Sequence, residues 1–210
     1  MKRIVFLASL LAVMFSTGCL ENTYQNQKGN NGGTTTTTTT TTTDDKGTTT
    51  TTTTTTTTDT KNSFHSNNGK FSINFLNAPQ GPISREENNK AGMVQTIMYL
   101  DNISDNAKYI AMYKDYPAGA VTAANVDEKL KLEADAFMKG LTSKVAKSQE
   151  ERLSGNKGLS FSGAINDTIN VNMRSFFVGK RYYMFGTIAT DAEIPSKESK
   201  KFINSFELDN

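Results

Sequence analysis

From about residue 62 onward the hydrophobic spacing switches between two periods, and the switches predict the elements. Phe71-Ser-Ile-Asn-Phe75 alternates apolar and polar side chains, then meets Ala78, Pro79, Gly81 and Pro82. That reads as a half-buried strand followed by a turn-rich break. Val94, Thr96, Met98 and Leu100 alternate against Gln95, Ile97 and Tyr99, and Tyr109 to Tyr113 behaves likewise, so further strands are expected. Between Asn125 and about Lys144 the period becomes helical, with Val126, Leu130, Ala134, Phe137, Met138 and Leu141 recurring on one face and Asn125 and Glu128 spaced as an N-cap pair. Leu159 to Ile165 and Ile169 to Val178 return to strand patterning, and Gly179-Lys180 reads as the turn of a long hairpin with Arg181 to Ala189. Pro195 and Ser196 open a short helix in which Phe202 and Phe206 share a face. The order of strands, helix, strands, helix predicts an α+β fold: an antiparallel sheet with packed helices.

The beginning of the chain follows a different pattern. Lys2 and Arg3 precede an uninterrupted apolar run from Ile4 to Phe15, and the small residues Ser16, Thr17 and Gly18 follow it. This is the pattern of a secretory leader over residues 1–18, and the run is too short to span a bilayer as a helix, which takes about 20 apolar residues. Cys19, the only cysteine, comes directly after Gly18. That arrangement resembles the lipobox of bacterial lipoproteins, whose cysteine is lipidated on sulfur and becomes the acylated N-terminus after cleavage. Lipid attachment at Cys19 is therefore expected. The acyl chains, each worth about 0.8 kcal/mol per buried methylene, would hold the protein on a membrane without a spanning helix. Ser16 stands where a lipobox usually has Leu, and Ser16-Thr17-Gly18 also satisfies the small-x-small rule of ordinary signal peptidase. A freely secreted product is the alternative.

Between Cys19 and residue 61 lies a stretch whose apolar residues are Leu20 and Tyr24, dominated by Thr34 to Thr43 and Thr48 to Thr58. With so little to bury, it cannot offset the entropy of ordering its backbone, so a disordered Thr-rich tether is expected. Flexible, it would span on the order of 35 to 40 Å. A mucin-like glycosylated stalk and a bare spacer are both compatible with its composition. Residues 62–210 then form one domain-sized block.

Composition narrows the function classes. The 210 residues are 36% hydrophobic and 21% charged, with one Cys, one His and no Trp, which excludes a disulfide framework and a cysteine-rich zinc module. Of 23 basic groups, Lys2 and Arg3 leave with the leader, so 21 basic face 21 acidic groups in the mature chain. Interspersed, balanced charge gives no reason to bind a phosphate backbone, and nucleic acid is not an expected partner.

Phe71-Ser-Ile-Asn-Phe75 with Pro79 downstream, Gly155-Asn-Lys-Gly158, Arg174 to Phe185, and Phe202-Ile-Asn-Ser-Phe206 together resemble the PsbP-like superfamily. That group includes photosystem extrinsic subunits, a Ran-binding import factor and small bacterial lipoproteins. The resemblance covers Lys70 to Leu208. Leu76 replaces the proline frequent after the first strand, and Gly155 to Gly158 replaces a Gly-Tyr-Pro-Gly-like turn. The resemblance implies an α-β-α sandwich that docks onto other proteins, and it carries over no active site, since the shared residues are core hydrophobes and turns.

Candidate chemistry is sparse. His65, in the polar stretch from Ser63 to Gly69, has no visible metal-ligand spacing around it, and Cys19 belongs to the leader end. The carboxylate pairs Glu86-Glu87, Glu150-Glu151 and Asp191 with Glu193 lie beside loops, and sequence neighbours on a strand point to opposite faces. Glycines 155, 158, 163, 179 and 186 do not make a phosphate loop and read as turns and bulges. Tyr99, Tyr109, Tyr113, Tyr116, Tyr182 and Tyr183, with Arg174 and Arg181, would suit a protein-binding surface if exposed, although packing on the sheet is the commoner fate of strand aromatics. No catalytic, cofactor or metal residue is expected. The function expected is a lipid-anchored, non-catalytic binding or assembly module of the cell envelope, on the outer membrane in preference to the inner. The alternative is a small-ligand binder or hydrolase whose site the sequence does not show.

Overall fold

A computed structural model describes residues 34–43, 49–58, 63–89 and 92–209. The leader and Cys19 lie outside the described residues. Ten strands and two helices make up the globular part: β3 (Ser63–Ser66), β4 (Phe71–Asn74), β5 (Gln80–Asn89), β6 (Gly92–Ser104), β7 (Ala107–Asp115), α1 (Val126–Gly140), β8 (Lys147–Leu153), β9 (Asn156–Ile165), β10 (Ile169–Val178), β11 (Arg181–Ala189), α2 (Ser196–Asn204) and β12 (Glu207–Leu208). β5 to β11 form a seven-stranded antiparallel sheet in the order β5-β6-β7-β11-β10-β9-β8, and β12-β4-β3 form a second, three-stranded sheet. Two meanders thus meet at β7 and β11, which lie side by side although α1 and three strands separate them in sequence.

The large sheet is apolar on both faces at its centre, and each face has its own core. Over one face lies α1, where Val126, Leu130, Ala134 and Met138 pack with Met98, Ile110, Val171, Met184 and Ile188. Over the other lie α2 and the small sheet, where Phe71, Ile73, Phe75, Phe202 and Phe206 pack with Tyr99, Tyr109, Tyr113, Phe176 and Phe185. This is the expected α+β arrangement of an antiparallel sheet with packed helices, with a small sheet sharing the second face.

Local chemistry explains the joints. The hairpin register Val178↔Arg181 leaves Gly179 and Lys180 as a two-residue turn, and Gly179 supplies the left-handed φ of +59° that the turn requires. Asn166 and Asp167 both adopt positive φ between β9 and β10 and form the turn there. At α1 the expected capping box does not form: Asn125 accepts from the Thr122 N–H at 2.8 Å and donates to the Ala120 carbonyl at 3.3 Å, bracing the loop behind the helix.

The two Thr tracts pair as an antiparallel ribbon of β1 (Thr34–Thr43) and β2 (Thr49–Thr58), with Thr34 opposite Thr58. With one residue type throughout, a slip of register changes nothing, so the sequence does not specify this pairing. Two expectations are corrected. First, β3, β5, β8 and β12 are strands that the sequence pattern does not show; β8, Lys-Ser-Gln-Glu-Glu-Arg-Leu, is an edge strand exposed along most of its length and has no apolar alternation to read. Second, Gly158, Gly163 and Gly186 are not turns but lie inside β9 and β11 where neighbours occupy the space of a Cβ: the Phe176 ring over Gly158, the Met138 methyl over Gly163, and Met173 over Gly186.

Candidate functional site

The second face of the large sheet is apolar only where α2 and the small sheet cover it. Along β8, β9 and β10 the residues on that same face are Lys147, Gln149 and Glu151, then Ser160 and Ser162, then Asn172 and Arg174, paired across the strands in the registers Lys147↔Ser162, Gln149↔Ser160, Ser162↔Asn172 and Ser160↔Arg174. α2 stands along the border of this polar area, and a groove of about 610 Å³ runs between them. Lys200, Ile203 and Asn204 of α2 form its second wall. Phe161 and Met173 lie beneath it but are almost completely buried, their side chains belonging to the opposite core.

Arg174 organises the floor. Its Nε lies 3.1 Å from the Glu151 carboxylate, and its Nη1 donates to Asn204 Oδ1 at 3.1 Å, joining sheet to helix. Burial pushes the Glu151 carboxyl above its ordinary value, and the neighbouring Arg174 guanidinium opposes that rise. Glu151 Oε1 is buried without a hydrogen-bond partner. Ser160 donates to the Gln149 carbonyl at 3.3 Å, within the groove wall. A second, shallow hollow adjoins across α2, lined by Lys197, Lys200, Lys201, Asn204 and Ser205. No carboxylate lines either hollow. The carboxylates at their border, Glu151 and Glu198, are paired with Arg174 and Lys201.

The tyrosines lie inside, the commoner of the two fates considered for them. Tyr99, Tyr109, Tyr113, Tyr116, Tyr182 and Tyr183 are each no more than 8% exposed. Their rings fill the two cores, and the hydroxyls of Tyr99, Tyr116 and Tyr183 brace the structure, while that of Tyr182 is buried without a hydrogen-bond partner. Tyr183 donates to the Gly69 carbonyl at 2.8 Å, and Tyr99 pairs with Ser66 at 3.1 Å, so both tie the β3–β4 turn to the large sheet. Arg181 reinforces the same joint: it holds Asp115 through two bonds of 2.6 and 2.7 Å, donates to the Asn68 carbonyl at 2.7 Å and lies over the Tyr113 ring. On the opposite face Tyr116 donates to Glu133, which also receives Lys114 Nζ at 2.5 Å. Of the aromatic and arginine set, Arg174 alone lies at the groove.

The remaining candidates are dispersed. His65 lies on β3, half exposed, with Nδ1 3.6 Å from Asp209. Glu86 and Glu87 are exposed on β5, and Glu193 accepts from Ser104 and Thr190. Glu150 alternates with Glu151 along β8, yet both border a smaller hollow of about 160 Å³ with Asp127, Lys131, Arg152 and Lys157. Among the described residues no group of three or more His, Cys, Asp or Glu is placed to hold a metal ion, and no helix is long and apolar enough to cross a membrane. The groove was missed in the sequence because its lining comes from four elements. The available signal was the run of small polar residues at alternate positions of β9 and β10, a strand face that is not core.

The domain is thus an α+β unit with two cores and an open, cation-lined groove at one end of its second face. No family model matches the sequence, and no curated protein matches it. Among solved structures it is similar to the solution structure of cyanobacterial PsbP (CyanoP) from Synechocystis sp. PCC 6803, with 7% sequence identity and a TM-score of 0.47 over 69% of this chain and 90% of that one.

Proposed function

We propose that the protein is an exported cell-envelope lipoprotein, anchored through acyl chains on Cys19, whose globular domain acts by binding and not by catalysis. The observation that carries the binding role is the groove between α2 and β8–β10. It is lined by cations, hydroxyls and amides, and the carboxylate nearest to it, Glu151, is already engaged by Arg174. Such a lining holds a partner by hydrogen bonds and charge. Its serines have no histidine among the lining residues to activate them, and general-base catalysis needs such a neighbour within hydrogen-bond reach. The tyrosines offer no docking surface, so the binding role passes to the groove. The anchor rests on the leader, Cys19 after Gly18, and the Thr-rich stretch that separates Cys19 from the domain.

Intact mass and envelope partitioning of the native protein beside Cys19→Ala test this reading. The expected result is a wild type that carries acyl mass and pellets with membranes, and a variant that is released. A wild type that stays soluble with a free thiol at its N-terminus overturns the anchor and leaves a secreted binder.

A further inference from the structure

We propose that the groove binds an acidic polysaccharide, a chain of sugars bearing carboxylates, laid across the polar faces of β8, β9 and β10 against α2. The assignment deepens the binding role given above and rests on it. Charge complementarity sets the sign of the occupant. Lys147, Arg174 and Lys200 line the groove and Lys197 and Lys201 stand around α2; Arg174 is held by Glu151 and Lys201 by Glu198, so the field that meets an occupant comes chiefly from Lys147, Lys197 and Lys200. Concentrated on one concave face of a chain whose charges otherwise balance, these cations favour an anion.

The rest of the lining sets the class. Ser160, Ser162, Gln149, Asn172 and Asn204 offer both donors and acceptors at short reach, which is what successive sugar hydroxyls need. A volume of about 610 Å³ falls within the range of small-ligand sites. Three other anionic partners fit less well. Single-stranded nucleic acid binds on aromatic platforms, and no aromatic ring opens onto this groove, since Phe161 is buried on the other face. A lipid surface needs exposed apolar side chains to insert, and the exposed large hydrophobics of the described residues, Leu76, Met93 and Leu132, do not line the groove. An acidic protein would be expected to meet tyrosines or tryptophans at the centre of its contact, and the lining has neither.

The test uses the full chain in nonionic detergent, titrated by calorimetry with oligogalacturonate, with neutral dextran of matched length, with a single-stranded oligothymidylate and with phosphatidylglycerol vesicles. Oligogalacturonate is expected to bind, and the other three to bind at least tenfold more weakly. Lys147→Glu with Lys200→Glu, both at exposed positions, should weaken oligogalacturonate binding at least tenfold, about what reversing two nearby charges costs in a partly exposed site. Lys139→Glu with Lys180→Glu, an equal charge change at exposed positions on α1 over the opposite face and in the β10–β11 turn, should change it less than twofold. No binding of oligogalacturonate overturns the proposal. So does equal binding of dextran, oligothymidylate or vesicles, or an affinity that the groove variant leaves unchanged. Shortening of the oligogalacturonate during titration, read from reducing ends, would support the ligand class while overturning the non-catalytic reading. A wild type without acyl mass would overturn only the anchor.

Discussion

Gly186 lies in the middle of β11, opposite Ile110 of β7 and Met173 of β10, at the centre of the large sheet. A Cβ added there would lie 2.7 Å from Met173 Sδ and 2.8 Å from Met173 Cα, and would run into the Asn172 carbonyl oxygen. Two of these three neighbours are backbone, so no rotamer change relieves the clash and β10 must move away from β11. Overpacking of this kind costs about 1–3 kcal/mol, and the backbone contacts place Gly186→Ala at the upper end, about 3 kcal/mol. For a domain of this size about 3 °C is lost per kcal/mol, so the midpoint should fall by roughly 9 °C. Gly179→Ala is the control: nothing lies within 4 Å of its Cβ, and the cost is the left-handed φ of +59° alone. That is about 1 kcal/mol, or roughly 3 °C. Thermal unfolding followed by circular dichroism reads both variants, provided each transition is a single cooperative step. A Gly186→Ala midpoint within 2 °C of wild type, or a larger loss for Gly179→Ala, would refute the close approach of β10 to β11.

Three further outcomes are expected. Phe206 stacks on Phe185 at 4.0 Å and on Phe71 at 5.3 Å, bridging the two sheets, so Phe206→Ala should cost about 3–5 kcal/mol in denaturant-induced unfolding; a loss below 1 kcal/mol would mean the small sheet is not docked by this ring. Because burial raises the Glu151 carboxyl above its ordinary 4.5 in the folded state, the native protein holds that proton longer than the unfolded chain, so the contribution is complete below about pH 4.5 and is lost as pH rises through the higher folded value; Glu151→Gln should lose less stability than wild type between about pH 4 and pH 7, and identical slopes would contradict the assignment. Burial, with Tyr99 close by, pushes the Tyr113 hydroxyl from its ordinary 10 up to about 12 against the pull of Arg181, so stability should fall as pH rises from about 10 to about 12, and Tyr113→Phe should show a shallower alkaline loss in the same unfolding measurement.

The sequence by itself determined the periods of the elements and the joints that need special residues. Ile169 to Val178, Gly179-Lys180 and Arg181 to Ala189 appear in the structure at those bounds, because a two-residue turn carrying glycine between two alternating runs has one economical arrangement. The core helix was legible from Val126, Leu130, Ala134 and Met138, since a helix that buries one stripe must repeat it every 3.6 residues. Only the tertiary structure decided which alternating residues became core and which became surface. Tyr99 and Ser160 occupy the same face of the same sheet, yet α2 and the small sheet cover one and stop short of the other. Strand periodicity tells two faces apart but not how far a covering layer extends. The groove arises where that layer ends, from lysines, an arginine and small polar residues that lie as far apart in the chain as Lys147 and Asn204 and meet only because β8, β9, β10 and α2 fold against one another.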